Sequence, residues 1–185
     1  MHELGIRILI RKIQLIGVQF AKALTPVLSY HKDHYYRIFF QSSSGKEKCD
    51  NILKEHQYFL YDPKTLETKE SISNYWETKK SNEYQIIGPL WVGDLHNSKI
   101  IDTMLNQNLF ESEKKMLKTI QIEAKNPNTV GFIDSHILSK KYKLKKTPTN
   151  DEILSLNETW KTQFCKTGIK TNLSIQELIK KLKTK

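Results

Sequence analysis

The first part of the chain combines one long amphipathic segment with two short apolar ones. Residues 3–23 carry large apolar side chains such as Ile8 and Ile16 at helical spacing, and charged or amide side chains fill positions between them. That period predicts a helix of about five turns. Residues 24–30 and 34–40 are β-branched or aromatic runs bounded by turn-forming residues, which predicts the two strands of a hairpin.

Both faces of this predicted hairpin are apolar. Leu28 and Tyr30 alternate with Val27 in the first strand, and Ile38 alternates with Phe39 in the second. Strands that are apolar on both sides are typical of an α/β sheet that is covered on both faces. Because a two-stranded ribbon alone is only marginally stable, the pattern predicts the end of a sheet whose other strands are missing from the sequence.

The remainder of the sequence predicts a mixed α/β organisation. Residues 62–83 form a polar segment, and an Asn-Pro-Asn sequence at residues 126–128 ends a helical pattern. After it, two short helices, an extended stretch and a helix begun by the capping box of Ser174 and Glu177 give a winged-helix-like order, which also suits a helical protein-interaction module. The predicted helices lie at residues 46–55, 98–123 with a break near 106–108, 134–142, 151–160 and from 174 onward, and the predicted extended stretches at 57–61, 84–91 and 162–170.

Charge is distributed unevenly along the 185 residues, which carry a formal net charge of +10. Residues 1–45 hold six basic and two acidic side chains (net +4), residues 46–110 eight and ten (net −2), and residues 111–185 sixteen and eight (net +8). Two basic ends suit a phosphate-bearing partner held at two places, and solvated lysine-rich faces are the alternative interpretation. No apolar run approaches the roughly 20 residues that span a bilayer, so we expect a cytoplasmic protein.

Five stretches of the sequence together resemble one enzyme family. In chain order they are "HELGIRILI", "LTPVLSYHKDHYYRIFF", "GKEKCDNILKEHQYFLYDP", "GPLWVGDLH" and "CKTGIKTN". Similar segments occur in the same order in the tRNA guanosine-26 N2-dimethyltransferases, and the resemblance spans nearly the whole chain. That family uses S-adenosylmethionine to convert one guanosine, at the junction of the D and anticodon stems, to N2-methyl- and N2,N2-dimethylguanosine. The resemblance implies the same reaction and the same RNA partner here.

The resemblance also implies which part of the enzyme is present. In the family, the "HE-x-G-x-R-I-L" segment opens the last helix of a Rossmann-like methyltransferase domain, and the "P-x-L-S-x-x-x-D-x-Y-x-R" segment forms its last two strands. Residues 1–44 are therefore expected to supply the final helix and hairpin of that sheet. Residues 45–128 are expected to form an α+β linker domain, and residues 129–185 a winged-helix-like tRNA-binding region.

Two motifs of the family are absent from this sequence. The glycine-rich turn for S-adenosylmethionine and the D-P-F-G type motif, whose aspartate is expected to handle the target amino group, precede the matched segments in relatives. The catalytic residues and most of the cofactor site are therefore expected on an N-terminal half, and the chain alone is expected to be inactive. Met1 directly before the His2-Glu3 match favours a split enzyme, with a second polypeptide supplying that half, over a truncated one.

No metal is expected. Many relatives carry cysteine pairs suited to zinc where this chain has "QYFLYDPKTLETKES", and tetrahedral zinc needs four Cys or His ligands. Cys49 and Cys165 are too far apart in sequence for a C-x-x-C site, and no disulfide is predicted. The cluster at residues 31–34, His-Lys-Asp-His, is interpreted first as the turn of the hairpin, second as an RNA contact and only third as a metal site.

Candidate RNA contacts lie at both basic ends. A target base must leave the RNA stack, and Tyr30 and Tyr36 are further candidates to hold it, with core packing as the alternative. Gly168 between two lysines predicts a turn that brings N–H groups and ammonium charges to phosphate. A surface ion pair with Glu3 is the alternative for Arg7, and a solvated face is the alternative for the lysines at 140–146. The predicted RNA-binding residues are Arg7, Arg11, Tyr35, Arg37, Lys141, Lys145, Lys166 and Lys170.

His96 and Trp91 belong to the "GPLWVGDLH" segment. We expect His96 to be a buried, hydrogen-bonded residue at a domain junction, and Trp91 to pack there rather than stack on a base. A different function stays open for the whole chain, namely a non-catalytic tRNA-binding module or scaffold. That alternative predicts an exposed and polar hairpin surface, whereas the sequence makes both faces of the hairpin apolar.

Overall fold

A computed structural model of the chain describes residues 2–74, 84–107, 110–126 and 129–183. It shows a mixed α/β protein with three small antiparallel sheets. No helix in those four ranges is long and apolar enough to cross a membrane. The elements in chain order are α1 (His2–Gln19), β1 (Lys22–Lys32), β2 (Tyr35–Ser44), α2 (Lys46–Lys54), β3 (His56–Tyr61), β4 (Thr68–Ser71), β5 (Gln85–Trp91), α3 (Ser98–Gln107), α4 (Glu111–Lys125), β6 (Ile133–Asp134), α5 (Ser135–Tyr142), α6 (Asn150–Leu154), β7 (Thr159–Lys161), β8 (Gly168–Thr171) and α7 (Ile175–Lys183).

The first sheet is the predicted hairpin. β1 and β2 pair from Lys22 opposite Ser44 to Lys32 opposite Tyr35. α1 lies along the hairpin, and Ile10 of α1 shares a core cluster with side chains of both strands. On β1, Leu28 belongs to a second cluster with residues of α3 and α4. The prediction that the hairpin is covered on both faces is thus confirmed for β1, because α3 and α4 supply a cover that the sequence pattern did not reveal.

The second sheet has the order β4-β3-β5. β4 lies in the segment that the sequence predicted only as polar, since a Thr-Lys-Glu-Ser strand carries no apolar alternation to detect. It forms because β3 offers a pairing edge, and Tyr58 pairs with Ser71 there. The part of that polar segment at residues 75–83 lies outside the described residues.

The third sheet, β6-β8-β7, packs with α5, α6 and α7 around a separate apolar cluster that includes Leu138, Ile169 and Leu178. The helix predicted at residues 151–160 is wrong in its second half, because α6 ends at Leu154. The hydroxyl of Thr159 shares its hydrogen between the carbonyl of Ile153 in α6 and that of Leu156 just after it, and Glu158 has a positive φ of 68°. The chain therefore reverses, and the following residues form β7. Of the extended stretch predicted at 162–170, only residues from Gly168 onward are strand.

Helix ends agree well with the sequence. The predicted break in the long helix is confirmed, since α3 ends at Gln107 and α4 begins at Glu111. The predicted capping box of Ser174 and Glu177 is present at α7. A second capping box, of Thr149 with Glu152 at α6, escaped the sequence analysis.

One core cluster joins all three predicted domains. Ile6 of α1, Cys49 of α2 and Phe164 of the β7–β8 connection are members of the same buried cluster. The division at residues 44/45 and 128/129 and the winged-helix-like character of the last part stay predictions.

Candidate functional site

The hairpin tip is fastened to the start of α1 by stacked rings. Asp33, with φ of 51°, and His34 form a two-residue turn, so the interpretation of this cluster as turn chemistry is confirmed. His31 stacks on His2 with ring centroids 3.8 Å apart, and Tyr36 lies tilted beside it at 5.3 Å. The side chains of residues 31–34 therefore do not converge on one point. In the part of the chain that the structure describes, no group of three His, Cys, Asp or Glu side chains is placed to hold a metal ion.

The outer edge of β1 is closed by other parts of the same chain. The backbone N–H of Ser29 points to Nδ1 of His96 at 3.4 Å, and the carbonyl of Ser29 accepts from the side-chain nitrogen of Gln163 at 3.0 Å. The backbone N–H of Asn97 donates to the carbonyl of Val27. These bonds satisfy the polar groups that a neighbouring strand would otherwise use.

β2 differs from β1, because no strand among residues 2–74, 84–107, 110–126 and 129–183 pairs with its outer edge. Tyr35 and Phe39 are exposed, the latter at 47%. The guanidinium of Arg37 lies 5.3 Å from the ring centroid of Tyr35, which places a cation over an aromatic face at the surface. β2 thus presents unpaired backbone groups together with exposed rings.

α1 buries polar residues on its inner side and exposes apolar ones on its outer side. Glu3, Arg7 and Gln14 are buried, whereas Ile8 and Ile16 are 44% and 52% exposed. Ile6 and Ile10 are fully buried on the inner side as well, so what is unusual for a surface helix is the burial of charged residues beside them and the exposure of large apolar residues opposite. Two exposed surfaces are candidates for docking, and we call them together the outer face: the outer side of α1, with Ile8 and Ile16, and the side of β2 that carries Tyr35, Arg37 and Phe39. Ile38 and Phe40, which alternate with Phe39, share the core cluster of α1, so these β2 residues lie on the face of the hairpin opposite α1.

The buried polar residues of α1 belong to an ion cluster at the junction with the C-terminal part. Oε1 of Glu3 accepts from Nε of Arg7 at 3.0 Å, from Nζ of Lys170 at 2.8 Å and from the backbone N–H of Gly131 at 3.1 Å. Burial alone would raise the pKa of Glu3, but the charges and hydrogen bonds of Lys170 and Arg7 hold it below its usual value. Arg7 also donates to the carbonyl groups of Trp91 and Gly93.

Two of the predicted RNA contacts are corrected by this cluster. Arg7 is 3% exposed and Lys170 is 5% exposed, and their charges are used inside the protein. The ion pair of Arg7 with Glu3, expected on the surface, does form but is buried. The N–H of Gly168 donates to the carbonyl of Cys165, so it is also not free for phosphate. Of the residues in that predicted turn, Lys166 keeps an exposed side chain.

Arg11 is half-buried on α1, and its Nε has no hydrogen-bond partner among the described residues. It lies near His56, whose ring Nε2 is 2.8 Å from Oε1 of Gln14. Burial, and then the charge of Arg11, lower the pKa of His56 to about 4. The guanidinium of Arg11 therefore sits at the border between the interior and the surface, and its contact with RNA stays a prediction.

The other predicted RNA contacts lie on the surface of the C-terminal part. Lys145 is exposed after α5, and Lys141 is exposed while its ammonium donates to the carbonyl of Pro63. The hydroxyl of Tyr142 donates to the carbonyl of Thr65, so the end of α5 is held against the turn that follows β3. Lys141 and Lys145 therefore lie on a surface whose orientation is fixed by the contacts between α5 and the turn after β3.

The expectation for His96 and Trp91 is confirmed. His96 is buried, and its two ring nitrogens face Ser29 and Gln163. Trp91 is buried in the shared core, and its indole N–H donates to the carbonyl of Asp94. Both residues therefore hold the junction between the hairpin, β5 and the β7–β8 connection.

Comparison with known proteins gives one consistent family. The family model described as N2,N2-dimethylguanosine tRNA methyltransferase matches residues 1–183. The chain belongs to this family. A tRNA (guanine(26)-N(2))-dimethyltransferase of Saccharolobus islandicus is 35% identical over 98% of this chain and 50% of that protein. A tRNA (guanine(26)-N(2)/guanine(27)-N(2))-dimethyltransferase of Aquifex aeolicus is 29% identical over 98% of this chain and 48% of that protein.

A solved structure agrees with this family assignment. Trm1 from Pyrococcus horikoshii, in complex with S-adenosyl-L-methionine, matches with a TM-score of 0.81 at 29% identity, over 97% of this chain and 49% of that one. The chain therefore spans about half the length of the family members that it matches.

The described residues do not by themselves fit a site for S-adenosylmethionine. Such a site needs backbone that approaches the cofactor closely, usually at clustered glycines, and the seven glycines of this chain stand singly. The space beside Gly5 is filled by Tyr36, that beside Gly17 by Leu24 and that beside Gly168 by Thr162. A cavity of about 610 Å³ lies between β4, residues 129–133 and the β8–α7 connection, where backbone and side chains of both charges line it.

Sequence reasoning missed three residues of the junction. Glu123 is buried and accepts from the hydroxyl of Thr162 at 2.6 Å, and Gln163 binds β1 across 134 positions of sequence. A glutamate on an otherwise amphipathic helix gives no local signal that it is buried. The "CKTGIKTN" segment, which resembles the family, lies directly after these residues and was the only pointer to this region.

Proposed function

We propose that this chain is the C-terminal half of an S-adenosylmethionine-dependent tRNA (guanine-N2)-dimethyltransferase that modifies guanosine 26. Its relatives carry that activity in their names, and the chain matches about half of each. In this proposal a separate polypeptide supplies the N-terminal methyltransferase half, with the cofactor site and the catalytic residues. The complex acts in the cytoplasm, and this chain alone is inactive.

The observation that carries the proposal is the outer face. Among the described residues no strand pairs with the outer edge of β2, whereas β1 is closed by His96, Asn97 and Gln163. Exposed apolar side chains surround that edge, and surfaces of this kind mark contacts with another part of a protein. A strand of the N-terminal half is expected to pair with β2 and so to extend the sheet past its present edge.

The role of this chain in the reaction is to complete the sheet and to bind tRNA. Exposed cations bind RNA mainly through phosphate, and each phosphate contact adds to the salt dependence of binding. Tyr35 and Arg37 lie next to the hairpin turn, so in this proposal they stand at the border of the covered surface, where Arg37 over Tyr35 offers a flat surface for an unstacked base. The residues proposed to contact tRNA are Arg11, Tyr35, Arg37, Lys141, Lys145 and Lys166.

The organisation of the chain follows from this role. Residues 1–44 belong with the methyltransferase half, residues 45–128 connect, and residues 129–185 form the winged-helix-like part that carries the basic surface. The ion cluster of Glu3, Arg7 and Lys170 fixes the last part against the first, so that tRNA bound on one is presented to the site on the other.

The proposal is tested by reconstitution. The chain is expressed alone and together with a candidate N-terminal half, and incorporation of labelled methyl groups from S-adenosylmethionine is measured on a tRNA transcript. Methylation is expected only with both halves, and a transcript with adenosine at position 26 serves as the negative control.

A different result would favour the alternative function. If the chain stays monomeric with every candidate half, yet binds tRNA tightly, it is a non-catalytic tRNA-binding module. The apolar outer face favours the split enzyme over that alternative, because exposed apolar side chains such as Ile16 and Phe39 are typical of a surface that another protein covers.

The tRNA surface is tested by its salt dependence. Removing Lys145 is expected to weaken binding of tRNA and to lower the slope of log affinity against log salt by about one. Lys114, whose ammonium pairs with Glu111 at 2.7 Å, provides the matched control. Equal effects of the two alanine variants would place tRNA elsewhere.

A further inference from the structure

A buried carboxyl group at the junction has one oxygen without a hydrogen-bond partner. Glu123 of α4 is 7% exposed, and its Oε1 accepts from the hydroxyl of Thr162. Its Oε2 has no partner among the described residues and lies 3.8 Å from Nε2 of His96. That separation is too long for a direct hydrogen bond. An ionised carboxylate with a bare oxygen is a costly group in a protein interior.

Nε2 of His96 faces Oε2 of Glu123. Nδ1 of His96 faces the backbone N–H of Ser29, so Nδ1 is the acceptor and Nε2 carries the hydrogen of the neutral ring. The amide nitrogen of Gln163 lies 3.2 Å from Nε2; it already donates to the carbonyl of Ser29 and has no lone pair to offer. The N–H of His96 and the Oε2 of Glu123 therefore both lack a partner and face the same space.

A small cavity lies at this place. It has a volume of about 30 Å³, and its walls include His96, Glu123, Arg7, Lys170 and Asn126. A cavity of roughly 10–15 Å³ is enough for one water, provided that two or more polar groups line it. Both conditions are met here.

We propose that Glu123 keeps its carboxyl proton at neutral pH and that one water in this cavity links it to His96, which makes the pair a buried proton-binding site. The site joins three elements, because Glu123 belongs to α4, His96 holds β1 through Ser29, and Thr162 and Gln163 belong to the β7–β8 connection. The site is thus a pH-sensitive contact between the hairpin and the C-terminal part. Its existence does not depend on the proposed function.

The charges around the site act in both directions. Burial is the largest influence and raises the pKa of Glu123 to about 7; Lys170 favours its ionised form, and Glu3 opposes it. The ammonium of Lys170 is already bound by Glu3 and by the carbonyl of Thr129, which limits what it contributes to Glu123.

His96 responds to the same surroundings. Burial, followed by the charges of Lys170 and Arg7, lowers its pKa to about 3. Asp94 also lines the cavity, and burial raises the pKa of its carboxyl. Between about pH 3 and pH 7 the folded protein therefore holds His96 as the neutral ring and Glu123 as the protonated carboxylic acid.

The position of the proton determines how stability depends on pH. In the unfolded chain Glu123 releases its proton near its usual value of 4.5, whereas the folded protein keeps it until about pH 7. The folded state therefore binds one extra proton at Glu123 between pH 4.5 and 7, so this group makes stability fall as the pH rises through that interval. Replacing Glu123 by glutamine removes that fall.

The experiment is chemical denaturation of the full chain between pH 4 and 8. The folding equilibrium constant of Glu123→Gln, divided by that of the unchanged chain, is expected to rise about tenfold per pH unit from pH 4.5 to 7. Glu113→Gln removes a partly exposed carboxylate of the same helix, paired with Lys32, and is the control; it is expected not to reproduce this tenfold rise. A constant ratio for Glu123→Gln would overturn the proposal.

Two further measurements keep the proposal testable if Glu123→Gln does not fold. Infrared difference spectra of the unchanged chain between pH 6 and 8 are expected to show loss of a carboxylic-acid carbonyl band. If that band is absent already at pH 6, Glu123 is ionised and the proposal is overturned. A crystal structure is expected to show one water between Glu123 and His96. An empty cavity would overturn the linking water.

Discussion

The inner side of α1 buries charged residues beside its apolar ones, whereas the outer side of α1 and β2 expose large apolar residues. On the inner side, Glu3 and Arg7 are buried and meet backbone carbonyls, an N–H group and Lys170. On the outer side, Ile16 and Phe39 are exposed. Charged residues of α1 can therefore be buried because the fold supplies hydrogen-bond and ion-pair partners for them. The exposed apolar side chains mark the surface that the rest of the enzyme is proposed to cover.

The largest effect is expected on the inner side. Glu3→Ala leaves Arg7 and Lys170 buried without their shared carboxylate, and loss of one member of a buried ion cluster costs about 3–5 kcal/mol of unfolding free energy. Urea denaturation measures this. Glu113→Ala, which removes an exposed carboxylate paired with Lys32, is the control and is expected to change stability little. Similar losses for the two variants would mean that the buried cluster contributes no more than a surface pair.

The two sides of α1 are compared directly with a pair of isoleucines. Ile10 is fully buried, so Ile10→Ala is expected to cost about 2–5 kcal/mol. Ile16 is 52% exposed, and Ile16→Ala is expected to stay within about 0.5 kcal/mol of the unchanged chain. Thermal and urea unfolding report both values. A large loss for Ile16→Ala in the isolated chain would show that the outer side is already packed.

The two strands of the hairpin are compared by association rather than by stability. Phe39→Glu, on the open strand, is expected to weaken binding of the N-terminal half at least about tenfold, because an apolar contact becomes a buried charge. Thr25→Glu changes an exposed position of β1 and is the matched control. Binding is measured by calorimetry with the co-expressed partner half. Equal binding by both variants would contradict docking on β2.

The last prediction concerns the dependence of stability on acid. The folded state resists protonation of His56, since burial and Arg11 lower its pKa to about 4 from a usual value of 6.5. The unfolded chain takes up that proton first as the pH falls below 6.5, so the contribution of His56 to stability is lost between pH 6.5 and 4. His56→Gln is expected to flatten this decline in a series of urea midpoints. An unchanged decline would assign it to other groups.

Much of the local structure was predictable because its signals are short in sequence. The helical period gave α1, the turn-forming residues gave the two-residue hairpin turn, and the capping box gave the start of α7. β4 and the true end of α6 were missed. A polar strand has no apolar alternation, and the turn at Glu158 depends on hydrogen bonds from Thr159 that no period reveals.

The candidate site was predictable only in part. The sequence correctly placed His96 at a junction and the basic side chains of Arg37 and Lys145 at the surface. It placed Arg7 and Lys170 at the surface as well, and they are buried. Helical or strand spacing does not show whether a charged residue will meet an opposite charge from a distant segment.

The sequence by itself determined most of the element types, the hairpin turn, the family and the lack of a glycine-rich cofactor turn among these residues, because each of these depends on short stretches of neighbouring residues. Tertiary structure alone decided which edge of the hairpin is open and which charges are buried. Glu3 and Lys170 are 167 positions apart, and Gln163 reaches β1 over 134. Contacts at such separations arise from packing of the whole chain, and that packing closes β1, leaves β2 bare and brings Glu123 beside His96.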